Sequence, residues 1–247
     1  MFMWESRYRY VSYVTQFELK QRKLTCFTLR LLNVGNRPTP QSITKFTNAF
    51  GDEYLAFWTN GTYNIVLNNV LFADPSGAQE MFDEQLEWLE GRLQYAKDHH
   101  AAQIYIFAHH PWFLYDENET PEEMHGGSPF PKEWDDGSGR FDGVSFPDHY
   151  FIIPKKYRML ALDLFKKFEV DACFTGHFHQ NHIAKTSFGM DLIITAPLSM
   201  VFETTGKQGQ EEESGMGIRV VEVKVNPEKN RGRQCGEGSF THRFESI

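Results

Sequence analysis

The sequence predicts an α/β fold, on three observations. Twice an amphipathic helix leads into a short apolar strand, over 79–108 and again over 154–174. Each of those strands ends in histidines, at His109-His110 and at Gly176-His177-Phe178-His179. Ahead of both lie two strand-like runs separated by Asn60-Gly61, a dipeptide suited to the positive φ angles of a tight hairpin. At 247 residues and 40% hydrophobic content, the chain is long enough to bury one sizeable core, which predicts one globular domain.

Taken in order, residues 1–33 stand apart. Arg7, Arg9, Lys20, Arg22, Lys23 and Arg30 outnumber Glu5 and Glu18, and the apolar pattern is irregular. The stretch from Met1 to Val14 has no continuous apolar run, so neither a signal peptide nor a membrane span is expected there. Residues 34–225 are expected to form the main domain and 226–247 a mobile C-terminal tail. A Gly- and Pro-containing loop at 35–40 precedes a short helix predicted over 42–50 and ended by Gly51. Tyr54 to Thr59 and Tyr63 to Leu71 are expected to pair antiparallel.

From Gln79 to His99, the apolar residues Met81, Phe82, Leu86, Leu89, Leu93 and Tyr95 recur at helical spacing. Acidic residues come early in that run and Lys97 late, as the helix dipole favours. Ala102 to Ala108 is a short apolar run that predicts a buried strand, and Val170 to Phe174 is another, following an amphipathic helix over 154–168. Between them, residues 116–150 lack periodicity and are expected to form a surface insertion. Met190 to Ala196 and Ile218 to Val225 complete the predicted strands, separated by a Gly- and Glu-rich loop over 204–217.

The charge balance narrows the function classes. Thirty-three acidic against 25 basic side chains give a net charge of -8, which argues against nucleic acid as a partner, and nothing suggests a membrane. Cys26, Cys173 and Cys235 are odd in number, widely spaced and without a Cys-x-x-Cys pair, so a reducing compartment, the cytoplasm, is expected.

The histidines carry the chemistry. Loops at the C-terminal ends of parallel strands are where α/β proteins place their sites, and neutral imidazole suits zinc, manganese and iron. His109 and His177, 68 positions apart, stand at corresponding ends of two strands, with Gly176 leaving backbone room. His125, His149 and His182 stand in polar sequence and are expected to be solvated, His99 and His100 to end a helix, and Trp112 and Phe113 to pack.

These residues, with Val34 to Thr39, Phe50 to Tyr54, Ile65 to Asn68, Phe107 to Phe113, Phe151 to Arg158, Phe174 to Asn181 and Gly215 to Val223, resemble the calcineurin-like metallophosphoesterase superfamily. The resemblance covers residues 34–225 and implies a four-layer α/β/β/α sandwich, here lacking its first strands. It implies two divalent metal ions (Mn, Fe or Zn) that activate water against a phosphate ester. It makes His109 the lone metal-binding histidine, His177 the second ligand of that ion and His179 a ligand of the other, with His110 a neighbour only.

The chain departs from the family pattern. No Asp-x-His or Gly-Asp-x-x-Asp precedes Gly35, and Arg30-Leu31-Leu32-Asn33 stands where Gly-Asn-His-Asp is expected, which puts Leu32 in the place of a general acid. In another register Asn36 becomes a ligand. The resemblance therefore implies a phosphomonoester or Ser/Thr phosphoprotein hydrolase with an incomplete ligand set and impaired turnover. Three alternatives stand beside it: a non-catalytic isoform that binds a phosphoprotein or partner, an alternative start at residues 1–33, and a single zinc held by His109, His177 and His179.

Overall fold

The computed structural model describes residues 14–19, 22–27, 37–59, 61–129, 145–198, 215–225 and 238–246. The expectations for Leu32, Asn36, Asn60 and the Glu-rich part of the 204–217 loop fall outside the described residues.

Strands β1 (Val14–Leu19) and β2 (Arg22–Phe27) open the described chain as an antiparallel pair. Helix α1 (Pro40–Phe50) follows. Its start is fixed by Thr39, whose hydroxyl accepts from Ser42 N–H while Ser42 Oγ accepts from Thr39 N–H, and Pro40 takes the position where no N–H is needed. Strands β3 (Leu55–Thr59) and β4 (Thr62–Val66) then form the expected hairpin, with Gly61 at φ 85° in its turn.

The predicted strand over 63–71 is cut short. Leu67 N–H still bonds Phe107 O, but Asn68 and Asn69 interrupt the apolar run, and Val70–Ala73 turns into the single-turn helix α2. Helix α3 (Gln79–Asp98), strand β5 (Gln103–Phe107), helix α4 (Lys155–Lys167) and strand β8 (Ala172–Thr175) lie within a residue or two of their predicted positions. Between β5 and α4, two short strands, β6 (Gly127–Pro129) and β7 (Ser145–Pro147), pair antiparallel within the expected insertion.

Strand β9 (His182–Lys185) was not anticipated; β10 (Asp191–Ile194) and β11 (Gly217–Val225) were. A further strand, β12 (Gly238–Ser246), pairs with β11 along its whole length, in the segment expected to be mobile.

Among the described residues these strands form two main sheets. One runs β3-β4-β5-β8-β10-β9 and is parallel from β4 to β10; the other runs β12-β11-β1-β2, with β1 parallel to β11. The alternation of side chains along the first sheet assigns each strand to two cores. Tyr63, Ile65, Ile104, Ile106, Cys173, Leu192 and Ile194 face the helices, meeting Ile43, Phe72, Leu89, Leu93, Leu162 and Phe165. Their neighbours Val66, Tyr105, Phe107, Ala172, Phe174 and Ile193 face the other way and meet Val221, Val223 and Phe240 of the second sheet.

The described residues thus build three layers, helix on sheet on sheet, in an α/β fold whose central sheet is rich in parallel pairs. All four described α-helices contribute to the first core. No described helix is long and apolar enough to cross a membrane.

Candidate metal centre

Three parallel neighbours, β4, β5 and β8, end side by side. Their C-terminal ends deliver Asn68-Asn69, His109-His110 and Gly176-His177 to one edge of the sheet. Backbone bonds carry the ladder past the strands: Ala108 N–H donates to Phe174 O at 3.0 Å and Gly176 N–H to His109 O at 3.0 Å. Sheet register therefore sets where each histidine segment begins.

Asn69, fully buried, organises this edge. Its Oδ1 accepts the backbone N–H of His109 and of His110, both at 3.0 Å, and its Nδ2 donates to His110 O at 2.7 Å. Helix α3 holds the residue before it: Gln85 Oε1 accepts from Asn68 N–H at 2.8 Å and Gln85 Nε2 donates to Asn68 O at 3.0 Å. Asn69 and Gln85 escaped the sequence reading because the apolar run was carried through to Leu71. The signal available was two adjacent amides at the end of a buried strand, where solvation is lost and a partner is required.

His109, His110 and His177 converge. Each offers a ring nitrogen, and the three nitrogens lie within 4.8 Å of one another. His109 Nε2 and His177 Nδ1 are 3.1 Å apart, and the His110 and His177 ring centroids are 4.1 Å apart. Burial holds all three imidazoles below their usual pKa, His110 down to about 4, and the neighbouring histidines add to the depression at His109 and His177. The cluster is therefore neutral at pH 7, the form in which imidazole donates a lone pair to a cation.

Both histidines of the Gly-His-x-His loop adopt left-handed backbone, His177 at φ 62° and His179 at φ 60°. Such angles in non-glycine residues are costly and gather at functional sites. His179 is buried, and its proximity contributes to the depressed pKa of His109 and His177, yet it is not one of the three that converge. The structure thus brings together two of the three histidines expected to bind metal, with His110 as the third member of the group. His125 and His149 are exposed, as expected, and so are His99 and His100 at the end of α3.

His182 differs from expectation. It is buried on β9 and its Nε2 donates to Leu114 O at 2.6 Å, so the polar sequence around it conceals a structural hydrogen bond and not a solvated side chain. Trp112 and Phe113 pack in the first core, as predicted. Tyr150 and Phe151 stand beside His177, each with its ring centroid 5.6 Å away.

The His109 and His177 pair has a spacing that suits one borderline cation. Two imidazole nitrogens on a tetrahedral zinc stand about 3.3 Å apart, given Zn–N bonds of about 2.0–2.1 Å, close to the 3.1 Å between His109 and His177. His110 Nδ1 is buried without a hydrogen-bond partner, which an apolar wall does not explain. Among the described residues, no Asp or Glu joins the group.

No family model matches the chain. The chain is similar to curated proteins named serine/threonine-protein phosphatase CPPED1. The Danio rerio protein is 29% identical over 215 residues, 87% of this chain and 54% of that protein. The Bos taurus protein is 28% identical over 215 residues, 87% and 53%, and the Homo sapiens protein 28% over 166 residues, 67% and 44%. The chain spans about half the length of these curated relatives. The resemblance drawn from its histidines thus extends along most of its length, to calcineurin-like phosphoesterase domain-containing proteins.

Among solved structures, purple acid phosphatase PPD1 from Lupinus luteus matches at 11% identity and TM-score 0.42, over 68% of this chain and 27% of that one. A dimetal phosphatase from Danio rerio matches at 14% identity and TM-score 0.37, over 64% and 56%. Likeness at those scores adds nothing to the architecture described above.

Proposed function

We propose that this chain is a metal-dependent phosphoesterase module, acting on a phosphomonoester or a Ser/Thr phosphoprotein, with low turnover in this form. The observation that carries the reading is the convergence of His109, His110 and His177 at the C-terminal ends of adjacent parallel strands. The similarity to proteins named serine/threonine-protein phosphatase supports the reaction class. A divalent cation held there would supply a Lewis acid to a phosphoryl oxygen.

The chain's own residues have narrower tasks. His109 and His177 present neutral nitrogens, Asn69 fixes the backbone that carries His109 and His110, and Tyr150 and Phe151 place their rings beside His177. None of the described carboxylates joins the cluster, which is why turnover is expected to be low and which favours a second reading: a non-catalytic form that binds a phosphoprotein. The wide cysteine spacing supports a cytoplasmic setting.

Aryl-phosphate hydrolysis with added manganese or zinc tests the proposal. Metal-dependent turnover that disappears in His177→Ala supports it. A rate that survives both chelation and His177→Ala overturns it. Turnover at background combined with retention of a phosphoprotein on the immobilised chain selects the binding reading.

A further inference from the structure

We infer that Phe146, Tyr150 and Phe151 form an aromatic wall beside the metal centre that reads the organic part of the substrate, favouring a phosphate monoester with an aromatic ring next to the phosphate. The inference rests on the proposed phosphoesterase reading and deepens it by naming what Tyr150 recognises.

Burial shows where the histidine cluster is open. His109 and His110 are buried, whereas His177 is partly exposed, so among the described residues the cluster meets solvent at His177. Tyr150 and Phe151 stand at that point. Phe151 is 1% exposed and packs against Phe178, with ring centroids 5.2 Å apart. Tyr150 is 37% exposed, its plane is tilted 36° to the His177 imidazole, and Phe146 stands next to it at 5.0 Å between centroids. A ring that meets both solvent and a candidate metal-binding imidazole borders what enters there.

The wall is held in place by hydrogen bonds. Tyr150 closes the short 3-10 turn Asp148–Tyr150. Asp148 is buried; its N–H donates to Gly126 O at 3.1 Å and its Oδ2 accepts from the Tyr115 hydroxyl at 3.0 Å. Phe151 N–H then donates to Asp148 O at 3.0 Å, and Ile153 N–H donates at 3.0 Å to the carbonyl of Pro111, the residue directly after His109-His110. The turn is thus tied to the segment that carries two of the histidines, which keeps ring and imidazoles in fixed relation. A contact ordered in advance loses little conformational freedom when a ligand arrives.

The chemistry of the wall names the ligand class. Aromatic side chains gain by removing apolar surface from water, and they favour a second ring in offset or edge-on contact. Inorganic phosphate and a short alkyl ester offer neither. The ring can stand on the ester oxygen itself, or on the residue next to a phosphorylated serine or threonine; both sources place it beside the phosphate.

The test reads binding and not hydrolysis. The full chain, supplied with manganese, is titrated by calorimetry with two pairs of ligands. One pair is phenylphosphonate and methylphosphonate; the other is a peptide bearing the phosphonate analogue of phosphoserine between two phenylalanines or between two alanines. In at least one pair the aromatic member is expected to bind about fivefold to tenfold more tightly. A preference in the first pair names an aryl ester, and a preference confined to the second names a phosphopeptide with an aromatic neighbour. Tyr150→Ala is expected to abolish the preference while binding of the non-aromatic member persists, which also reports an intact site, and Tyr150→Phe to keep it. Equal binding within both pairs overturns the inference and leaves the phosphoesterase reading standing. A preference that survives Tyr150→Ala, or one that Tyr150→Phe abolishes, overturns it as well. Failure of all four ligands to bind removes both readings together. The ratio in the unaltered chain needs no variant to fold.

Discussion

Asn69→Ala is expected to be among the most damaging single changes near the site, although Asn69 offers no atom to a metal or a substrate in this arrangement. Its amide makes three buried hydrogen bonds, two accepted from His109 and His110 N–H and one donated to His110 O. Truncation to alanine leaves two backbone donors and one carbonyl without that partner in a place water reaches poorly. At about 1–3 kcal/mol for each unsatisfied buried group, with partial recovery by a water in the vacated volume, the loss should be about 3–5 kcal/mol. Against a typical total of about 5–15 kcal/mol this is a large fraction. Urea unfolding followed by tryptophan fluorescence measures it, since Trp112 is fully buried beside this edge. With a slope of about 2–3 kcal/mol per molar, the midpoint should fall by about 1–2 M. A midpoint within about 0.2 M of the unaltered chain would refute the claim that Asn69 fixes the backbone of the histidine pair.

Other expectations concern the scaffold around the site. Burial raises the Asp171 carboxyl from 3.8 to about 6 while Ile104 N–H still donates to it at 2.7 Å, so the native state takes up a proton before the unfolded chain does. Stability should therefore fall as pH rises from about 4 to about 6, by at most about 3 kcal/mol, and then level off; Asp171→Asn should flatten that slope in melting curves collected across the window, and an unchanged slope would count against the assignment. Glu119 accepts three backbone N–H groups, from Leu114 at 2.7 Å, Tyr115 at 3.0 Å and Asp116 at 3.1 Å. Glu119→Gln keeps one acceptor oxygen of two and should cost about 2–3 kcal/mol, a drop of about 4–10 °C by differential scanning fluorimetry, whereas an unshifted melt would show the loop to be held by other contacts.

What the sequence disclosed about the fold depended on how far each segment's hydrophobic pattern departs from its neighbours. Helix α3 declared itself because Leu89 and Leu93 recur along one buried face while Glu80 and Lys97 mark its ends. Strands β5 and β8 were legible as continuous apolar runs because both of their faces are covered, one by helices and one by the second sheet. Strand β12 was not, because residues such as Ser239, Thr241, Arg243 and Glu245 leave it with no apolar run, and only its pairing with β11 identifies it. Strand β9 is four residues long and begins with a histidine, so nothing in its composition marks it.

The site was legible to the same degree and for a related reason. Histidines that follow buried strands betray themselves by position, which is how His109 and His177 were found. Their geometry did not follow from that position. Whether His110 or His179 joins them depends on the turn that Asn69 imposes after β5 and on left-handed angles at His177 and His179, and neither is encoded in a periodicity.

The second sheet bears on the same loop from behind. Arg219 of β11 is fully buried, and its guanidinium donates to Thr195 Oγ1 at 3.1 Å and to Asn181 Oδ1 at 3.0 Å. Asn181 stands two residues after His179, and its Oδ1 also accepts from Ala196 N–H at 3.0 Å, so one amide ties the histidine loop to the end of β10 and to β11 at once. On its own sheet, Arg219 is opposite Thr15 of β1 and Phe244 of β12. The register of β11 between those two strands therefore sets where the guanidinium meets Asn181. A segment whose composition looked foreign to the domain, and another that looked like a tail, both hold the strand that steadies the Gly-His-x-His loop, without either one needing to supply a ligand.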